Sequence, residues 1–155
     1  MVLAHILCSL LSYAAFLVAF ISGLLFLMQE RQLKRKTMGA LFHRLPSLEQ
    51  LDRFNFASIG IGFGLLSLGL GCGVLGTRRM LGRWWMGDPK EYFTLALWGA
   101  YLVLWLTRLR ATLRGRRVAL LSIMGFSLVL FTYLGASWLL PSWHPYKFSY
   151  GTFIE

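Results

Sequence analysis

Three histidines are the side chains in this sequence best suited to hold a metal. His5 lies near the start of the first apolar segment, His144 follows the last one, and His43 lies in a basic segment between two others. A single histidine at the edge of an apolar segment is usually an amphipathic boundary residue and nothing more. Two at one edge can act together, because two neutral imidazoles fill both axial positions of a haem iron. The pair therefore indicates a site that carries haem b rather than one that activates oxygen.

A second candidate is the segment from Leu81 to Glu91, which contains the adjacent residues Trp84 and Trp85. Adjacent tryptophans often form only a belt at the lipid headgroups. Here the segment also contains basic side chains, which could bind the two propionates of haem. The flat indole rings could cover one face of its porphyrin. Asp88 followed by Pro89 also fits the start of a helix. The candidate cofactor-binding residues are His5, His144, Trp84, Trp85, Asp88, Arg83, Lys90 and Trp143, with the two histidines as axial ligands of the iron.

Several other kinds of chemistry lack their characteristic residues. The sequence contains no Cys-x-x-Cys-His, Cys-x-x-Cys, nucleotide-binding glycine loop, zinc motif or serine nucleophile elbow. Cys8 and Cys72 could form a disulfide, but a small apolar residue between helices is the commoner role for such cysteines. We assign no catalytic residue, and no enzymatic reaction is expected of this chain by itself.

The elements that must position these residues are apolar. Of the 155 residues, 57% are hydrophobic and 14% are charged, which leaves too few polar residues for the surface of a soluble domain of this length. A helix needs about 20 apolar residues to cross the hydrocarbon core. Four segments have few or no charges, and no alternating strand pattern appears. We predict one all-α membrane domain over residues 1–155, a bundle of four transmembrane helices at about 2–28, 54–77, 91–108 and 118–140.

The basic residues predict the orientation of this bundle. The net charge is +10, but the charges flank the apolar segments, which favours a lipid bilayer and not a nucleic acid as the partner. Eleven Lys and Arg residues lie in the segments 29–53 and 108–117, and five lie elsewhere. Because basic loops stay inside, both termini and the tryptophan-rich loop 78–91 should face the outer side. His5 and His144 would then lie at one interface.

Two further features concern packing. Ser47 could cap a short helix on the inner surface, with Leu48 and Leu51 facing lipid or the bundle. The second span is rich in glycine and has small residues four apart at 60 and 64 and at 69 and 73. Such spacings let a neighbouring helix approach closely, so this span should be central to the bundle or contact a partner subunit.

Taken together, the motifs resemble those of the CcsA/HemX-type cytochrome c assembly proteins, haem-handling membrane proteins with a tryptophan-rich outer loop. The resemblance covers nearly the whole chain, in a short form that lacks the family's N-terminal helices. The matching positions are His5, Ser9, Ser12 to Ala14, Gln29 to Lys34, Gly82, Trp84, Trp85, Asp88 to Glu91, Arg114 to Ala119, Leu139 to Pro141 and His144.

The resemblance implies a site and a location. His5 and His144 correspond to the family's pair of outer haem ligands, and the tryptophan loop would hold haem for delivery to apocytochrome c at the periplasmic side of a bacterial inner membrane. Some positions differ from the family pattern. Leu81, Met86 and Gly87 replace Trp, Gly and Trp, and Leu106 stands where the family has a membrane-embedded histidine. These differences imply that this chain alone does not pass haem through the membrane core, and they favour either a partner subunit or a role without catalysis.

Three functions are compatible with these observations. The first is a haem-handling protein of cytochrome c biogenesis, which should show a bis-histidine spectrum. The second is a structural subunit of a larger membrane redox or respiratory complex, which should copurify with other membrane subunits without stoichiometric haem. The third is a HemX-like regulator of tetrapyrrole synthesis, which should bind a soluble enzyme through the segment 29–53.

Overall fold

The computed structural model describes residues 2–36, 45–84, 87–110 and 115–132, and these parts form four α-helices. In chain order the helices are α1 (Val2–Arg35), α2 (Leu48–Leu81), α3 (Pro89–Leu109) and α4 (Arg116–Leu130). The described parts contain no strand, so the predicted all-α class is confirmed.

The first three helices have the length and hydropathy to cross a membrane. The helix around the third and shortest apolar segment has 21 residues, which is long enough for the predicted span. The described part of α4 has 15 residues, and the rest of the predicted span 118–140 lies largely outside the described residues. Large apolar side chains such as Leu68, Val103 and Met124 point outward on three of the helices. The chain is thus a multi-pass membrane protein.

Two helices are longer than the predicted spans. α1 continues to Arg35, through residues expected to be loop, and α2 begins at Leu48. Ser47 does act as a cap: its Oγ accepts from the backbone N–H of Gln50 at 3.2 Å, and the Gln50 Oε1 accepts from the Ser47 N–H at 3.0 Å. The helix that it starts is not a separate one on the surface. It is the first turn of α2, and Leu51 is buried in the bundle.

The centre of the bundle is a ring stack between α1 and α3. Phe16 lies on Tyr101 with ring centroids 3.7 Å apart and planes 17° from parallel. Phe16 also lies against Gly62 of α2, where an added Cβ would lie 2.5 Å from the ring atom Cε1. The absence of a side chain at position 62 therefore lets three helices meet at one level.

A polar contact ties α1, α2 and α4 together in the apolar interior. Asn55 is buried in α2, and its Nδ2 donates to the Ala19 carbonyl of α1 at 2.7 Å. Its Oδ1 accepts from the Ser122 hydroxyl of α4 at 3.1 Å. Hydrogen bonds of this kind fix the register of packed helices where lipid offers no alternative partner.

Asp52, one turn before Asn55, fixes the connection between α3 and α4. Its carboxylate forms an ion pair with Arg108 at the end of α3. The other carboxylate oxygen accepts from the Gly115 N–H, at 3.3 Å, just before α4 begins. Gly115 adopts a φ of 61°, which favours glycine. One acidic side chain thus joins α2 to the connection between α3 and α4.

Candidate functional site

His5 lies on the face of α2 that carries Gly69 and Gly73. Its Nδ1 is 2.7 Å from the Gly69 carbonyl oxygen. A Cβ added at Gly73 would lie 3.0 Å from Nδ1 and 3.1 Å from Cε1 of the same ring. The imidazole thus occupies the space that a side chain at position 73 would need.

This contact indicates which nitrogen of the neutral His5 ring carries the proton. A carbonyl oxygen can only accept a hydrogen bond, so Nδ1 must be the donor. In the neutral ring the proton is then on Nδ1, and Nε2 keeps a lone pair. Histidines that bind metals commonly have this arrangement, in which one ring nitrogen donates to a carbonyl and the other binds the metal. His5 therefore fits the role of an axial ligand.

The contact between α1 and α2 remains close on the next turn of α1. A Cβ added at Gly69 would lie 3.1 Å from the Ser9 Oγ and 3.4 Å from the Cys8 Cβ. This confirms the prediction that the spacing at 69 and 73 lets a helix approach. Cys8 and Cys72 are both partly buried free thiols, as expected for apolar residues between helices.

The pair at 60 and 64 behaves differently. Gly60 faces Trp105 of α3, with an added Cβ 3.2 Å from the indole Nε1, whereas no atom of the described residues lies within 4 Å of a Cβ at Gly64. Within the described helices, the two glycines do not form one docking surface.

At the end of α2 the chain turns back over the helix. Gly82 adopts a left-handed conformation with φ 68°, and its N–H donates to the Arg78 carbonyl at 3.0 Å. The turn brings Trp84 onto Arg78, whose guanidinium carbon lies 3.8 Å from the ring centroid. Trp84 remains 54% exposed. The guanidinium therefore orients an indole ring that is still available for contact.

The loop is shorter than its predicted range of 78–91. Arg78 and Arg79 belong to the last turn of α2, and α3 begins at Pro89. The reason is that the helix continues through its basic residues, which are favourable near the negative end of the helix dipole.

Asp88 has a clear structural role. It is buried and caps α3, its Oδ1 accepting from the Lys90 N–H at 2.9 Å. Pro89 follows at the first helical position, and the Gly87 N–H donates to Glu91 Oε2 at 3.0 Å. The predicted cap is confirmed. Contact between Asp88 and a cofactor stays a prediction.

Five of the eight predicted site residues lie in the described part of the chain. The His5 ring packs against α2, and the Trp84 ring lies over the Arg78 guanidinium. Lys90 belongs to the first turn of α3, and Arg83 is exposed. His144, Trp143 and Trp85 lie outside the described residues. Within the described ranges, no group of three or more His, Cys, Asp or Glu side chains could hold a metal ion. Axial ligation of haem needs only two protein ligands, so this finding is compatible with a haem site.

Some residues of this arrangement were not singled out from the sequence. The hydrogen-bond acceptor for His5 is the backbone carbonyl of Gly69. Every residue has such a carbonyl, so the residue type gives no sign of this contact. Asp52 and Asn55 did leave a signal, since one polar residue lies just before the second apolar segment and the other lies near its start. Such residues in transmembrane segments usually face the bundle interior.

Comparison with known proteins assigns the family. The sequence profile of the family described as "Cytochrome C assembly protein" matches residues 1–144. The chain belongs to this family. Two relatives in the cytochrome c assembly family are named cytochrome c biogenesis protein CcsA. The one from Prochlorococcus marinus subsp. pastoris is 32% identical over 96% of this chain and 54% of its own length. The one from strain MIT 9215 is 40% identical over 66% of this chain and 33% of its own.

This family member therefore spans about half the length of the first of these CcsA proteins. No solved structure matches it.

Proposed function

We propose that this chain handles haem b in cytochrome c biogenesis, holding it at the outer face between His5 and His144. The observation that supports this best is the hydrogen bond from His5 Nδ1 to the Gly69 carbonyl, which leaves Nε2 able to bind iron. Bound haem would supply an iron with two axial positions. Two imidazoles in those positions favour holding haem over oxygen chemistry.

The remaining residues of the proposed site hold the porphyrin. Trp84 offers an exposed indole ring oriented by Arg78, and Trp85 and Trp143 would add further ring surface. Arg83 and Lys90 would bind the propionates. Asp88 would act through its cap, which fixes the start of α3 next to Lys90.

The proposal includes a direction across the membrane. Four spans in a single domain, both termini outside and a bacterial inner membrane would place His5 and the loop between α2 and α3 on the periplasmic side. The support is that His5 contacts the half of α2 that leads into this loop, while the ion pair of Asp52 and Arg108 lies at the opposite end of α2.

Reporter fusions test this direction. Alkaline phosphatase, which is active only outside the cytoplasm, should be active when fused after Gly82 and inactive when fused after Lys36, because the basic segment stays inside. A fluorescent protein that matures only in the cytoplasm should give the reverse result at the same two positions. The opposite pattern for both reporters would overturn the proposed orientation.

The partners are proposed on the same basis. The relatives carry the name cytochrome c biogenesis protein, so apocytochrome c is the proposed recipient of haem. The chain spans about half of the first relative's length, and other membrane subunits are proposed to act with it.

Haem content tests the function. The protein is produced with excess haem, purified in mild detergent and analysed by pyridine haemochrome. We expect haem in the wild type and a fall to background in His5→Ala and in His144→Ala, because each removes one axial ligand. His43→Ala is the control and should keep its haem. Equal haem in all four proteins would refute the assignment, and copurification of other membrane subunits without haem would favour the structural-subunit alternative.

A further inference from the structure

Gly69 and Gly73 present two different surfaces to the His5 ring. They lie four residues apart, on the same face of α2. Gly69 provides a carbonyl oxygen at 2.7 Å from Nδ1. Gly73 has no side chain and therefore leaves room for the ring. The first sets which nitrogen is protonated. The second sets how deeply the ring can lie against α2.

We propose that Gly69 and Gly73 are positioning residues, which together select the Nδ1–H tautomer of His5 and fix the plane of its ring. This inference rests on the proposed function of His5 as an iron ligand. It adds that the ligand geometry is determined by α2, a different helix from the one that carries the histidine.

The space at position 73 is what makes the hydrogen bond possible. An added Cβ would lie 3.0 Å from Nδ1, the same atom that donates to Gly69, and 3.1 Å from Cε1. Both values are shorter than an ordinary van der Waals contact. The backbone cannot withdraw easily, because Ser9 and Cys8 already hold α1 against Gly69 one turn further on. The ring must therefore turn away from the carbonyl, and the hydrogen bond lengthens or breaks.

The consequence for a metal is electronic as well as geometric. Donation from Nδ1–H to a carbonyl makes Nε2 a more basic ligand and holds the ring in one orientation. A more basic imidazole favours ferric over ferrous haem, so loss of the hydrogen bond should raise the midpoint potential. Loss of such a supporting contact typically lowers metal affinity by about 10- to 100-fold.

The first test uses the protein without haem. The ¹⁵N shifts of the histidine rings, measured in detergent with ¹⁵N-histidine and assigned with His5→Ala, distinguish the two neutral tautomers. We expect His5 of the wild type to carry its proton on Nδ1. A proton on Nε2 in the wild type would overturn the inference, and this measurement requires no substitution that could impair folding.

The second test compares two glycines of one helix. Gly73→Ala should move the His5 proton towards Nε2, weaken haem binding by about 10- to 100-fold and raise the midpoint potential. Gly71→Ala is the matched control, because no described residue comes within 4 Å of its added Cβ and the gain in helix propensity is the same. Identical tautomers and potentials in Gly73→Ala and the wild type would refute the positioning role.

The two proposals fail in different ways. If His5→Ala binds haem like the wild type, His5 is not a ligand, yet the tautomer in the haem-free protein still reports on the two glycines. If His5→Ala loses haem while Gly73→Ala matches the wild type in every readout, the ligand assignment stands and the positioning role is wrong.

Discussion

Replacing Gly62 with alanine should lower the free energy of unfolding by about 2–3 kcal/mol, the upper part of the range for an overpacked core. The new Cβ would lie 2.5 Å, 2.7 Å and 3.1 Å from the Cε1, Cδ1 and Cζ atoms of Phe16. Phe16 has little room to withdraw, because Tyr101 of α3 stacks on it at 3.7 Å. The substitution must therefore separate helices or disrupt the ring stack.

Gly64→Ala is the matched control for this result. It lies two residues away on the same helix, and its added Cβ has no neighbour within 4 Å in the part of the chain that the structure describes. Its stability should equal or slightly exceed that of the wild type, because alanine favours the helix. Both variants can be followed by circular dichroism during titration with sodium dodecyl sulfate in mixed micelles. Equal stability of the two variants would contradict the packing described for Phe16.

Asp52→Asn is the second substitution with a large expected effect. It removes the carboxylate charge that pairs with Arg108, while keeping the shape of the side chain. The Arg108 side chain is 8% exposed and that of Asp52 23%. Breaking a buried pair costs about 3–5 kcal/mol. Solvent reaches Asp52 in part, so a loss of about 2 kcal/mol of unfolding free energy is expected.

Glu49→Gln separates the effect of burial from that of charge. Glu49 is one turn earlier on α2 and pairs with Arg53, but both side chains are about three-quarters exposed, at 75% and 77%. Exposed pairs contribute about 0.2–1 kcal/mol, so this variant should stay close to the wild type. If Asp52→Asn were as stable as Glu49→Gln in the same titration, Asp52 would not fix the connection between α3 and α4.

The sequence could predict those features that depend on local composition. The lack of charges located the spans, because backbone groups in lipid must bond within a helix. Asp88-Pro89 and Ser47 predicted caps from residue type alone, and both caps are present. The glycines at 69 and 73 predicted a close approach of helices, which α1 makes.

Other features depend on contacts between distant residues and had no local signal. α1 extends to Arg35 because polar residues such as Gln29 and Glu30 also favour a helix in water. A boundary predicted from hydropathy alone, at residue 28, therefore came too early. The partner of Asn55 is a backbone carbonyl 36 residues away, and that of His5 is one 64 residues away. A carbonyl belongs to every residue, so only the packing of α1 on α2 selects which one accepts.

The two ends of α2 explain how one helix can serve both stability and the proposed site. At one end of α2, Asp52 and Asn55 bond to the other three helices. Towards the opposite end glycines replace such bonds, and His5 and Cys8 occupy the space that they leave. That half of α2 therefore offers room for the His5 side chain, on a helix held in place at its other half.

We propose that His5 is one of two imidazoles that bind haem iron at the outer face. Electron paramagnetic resonance of the oxidised, haem-loaded protein tests this proposal, because the spectrum reports the axial ligands. We expect a low-spin ferric signal of the bis-imidazole type in the wild type, and its replacement by a high-spin signal or loss of haem in His5→Ala. A low-spin signal that is unchanged in His5→Ala would contradict it.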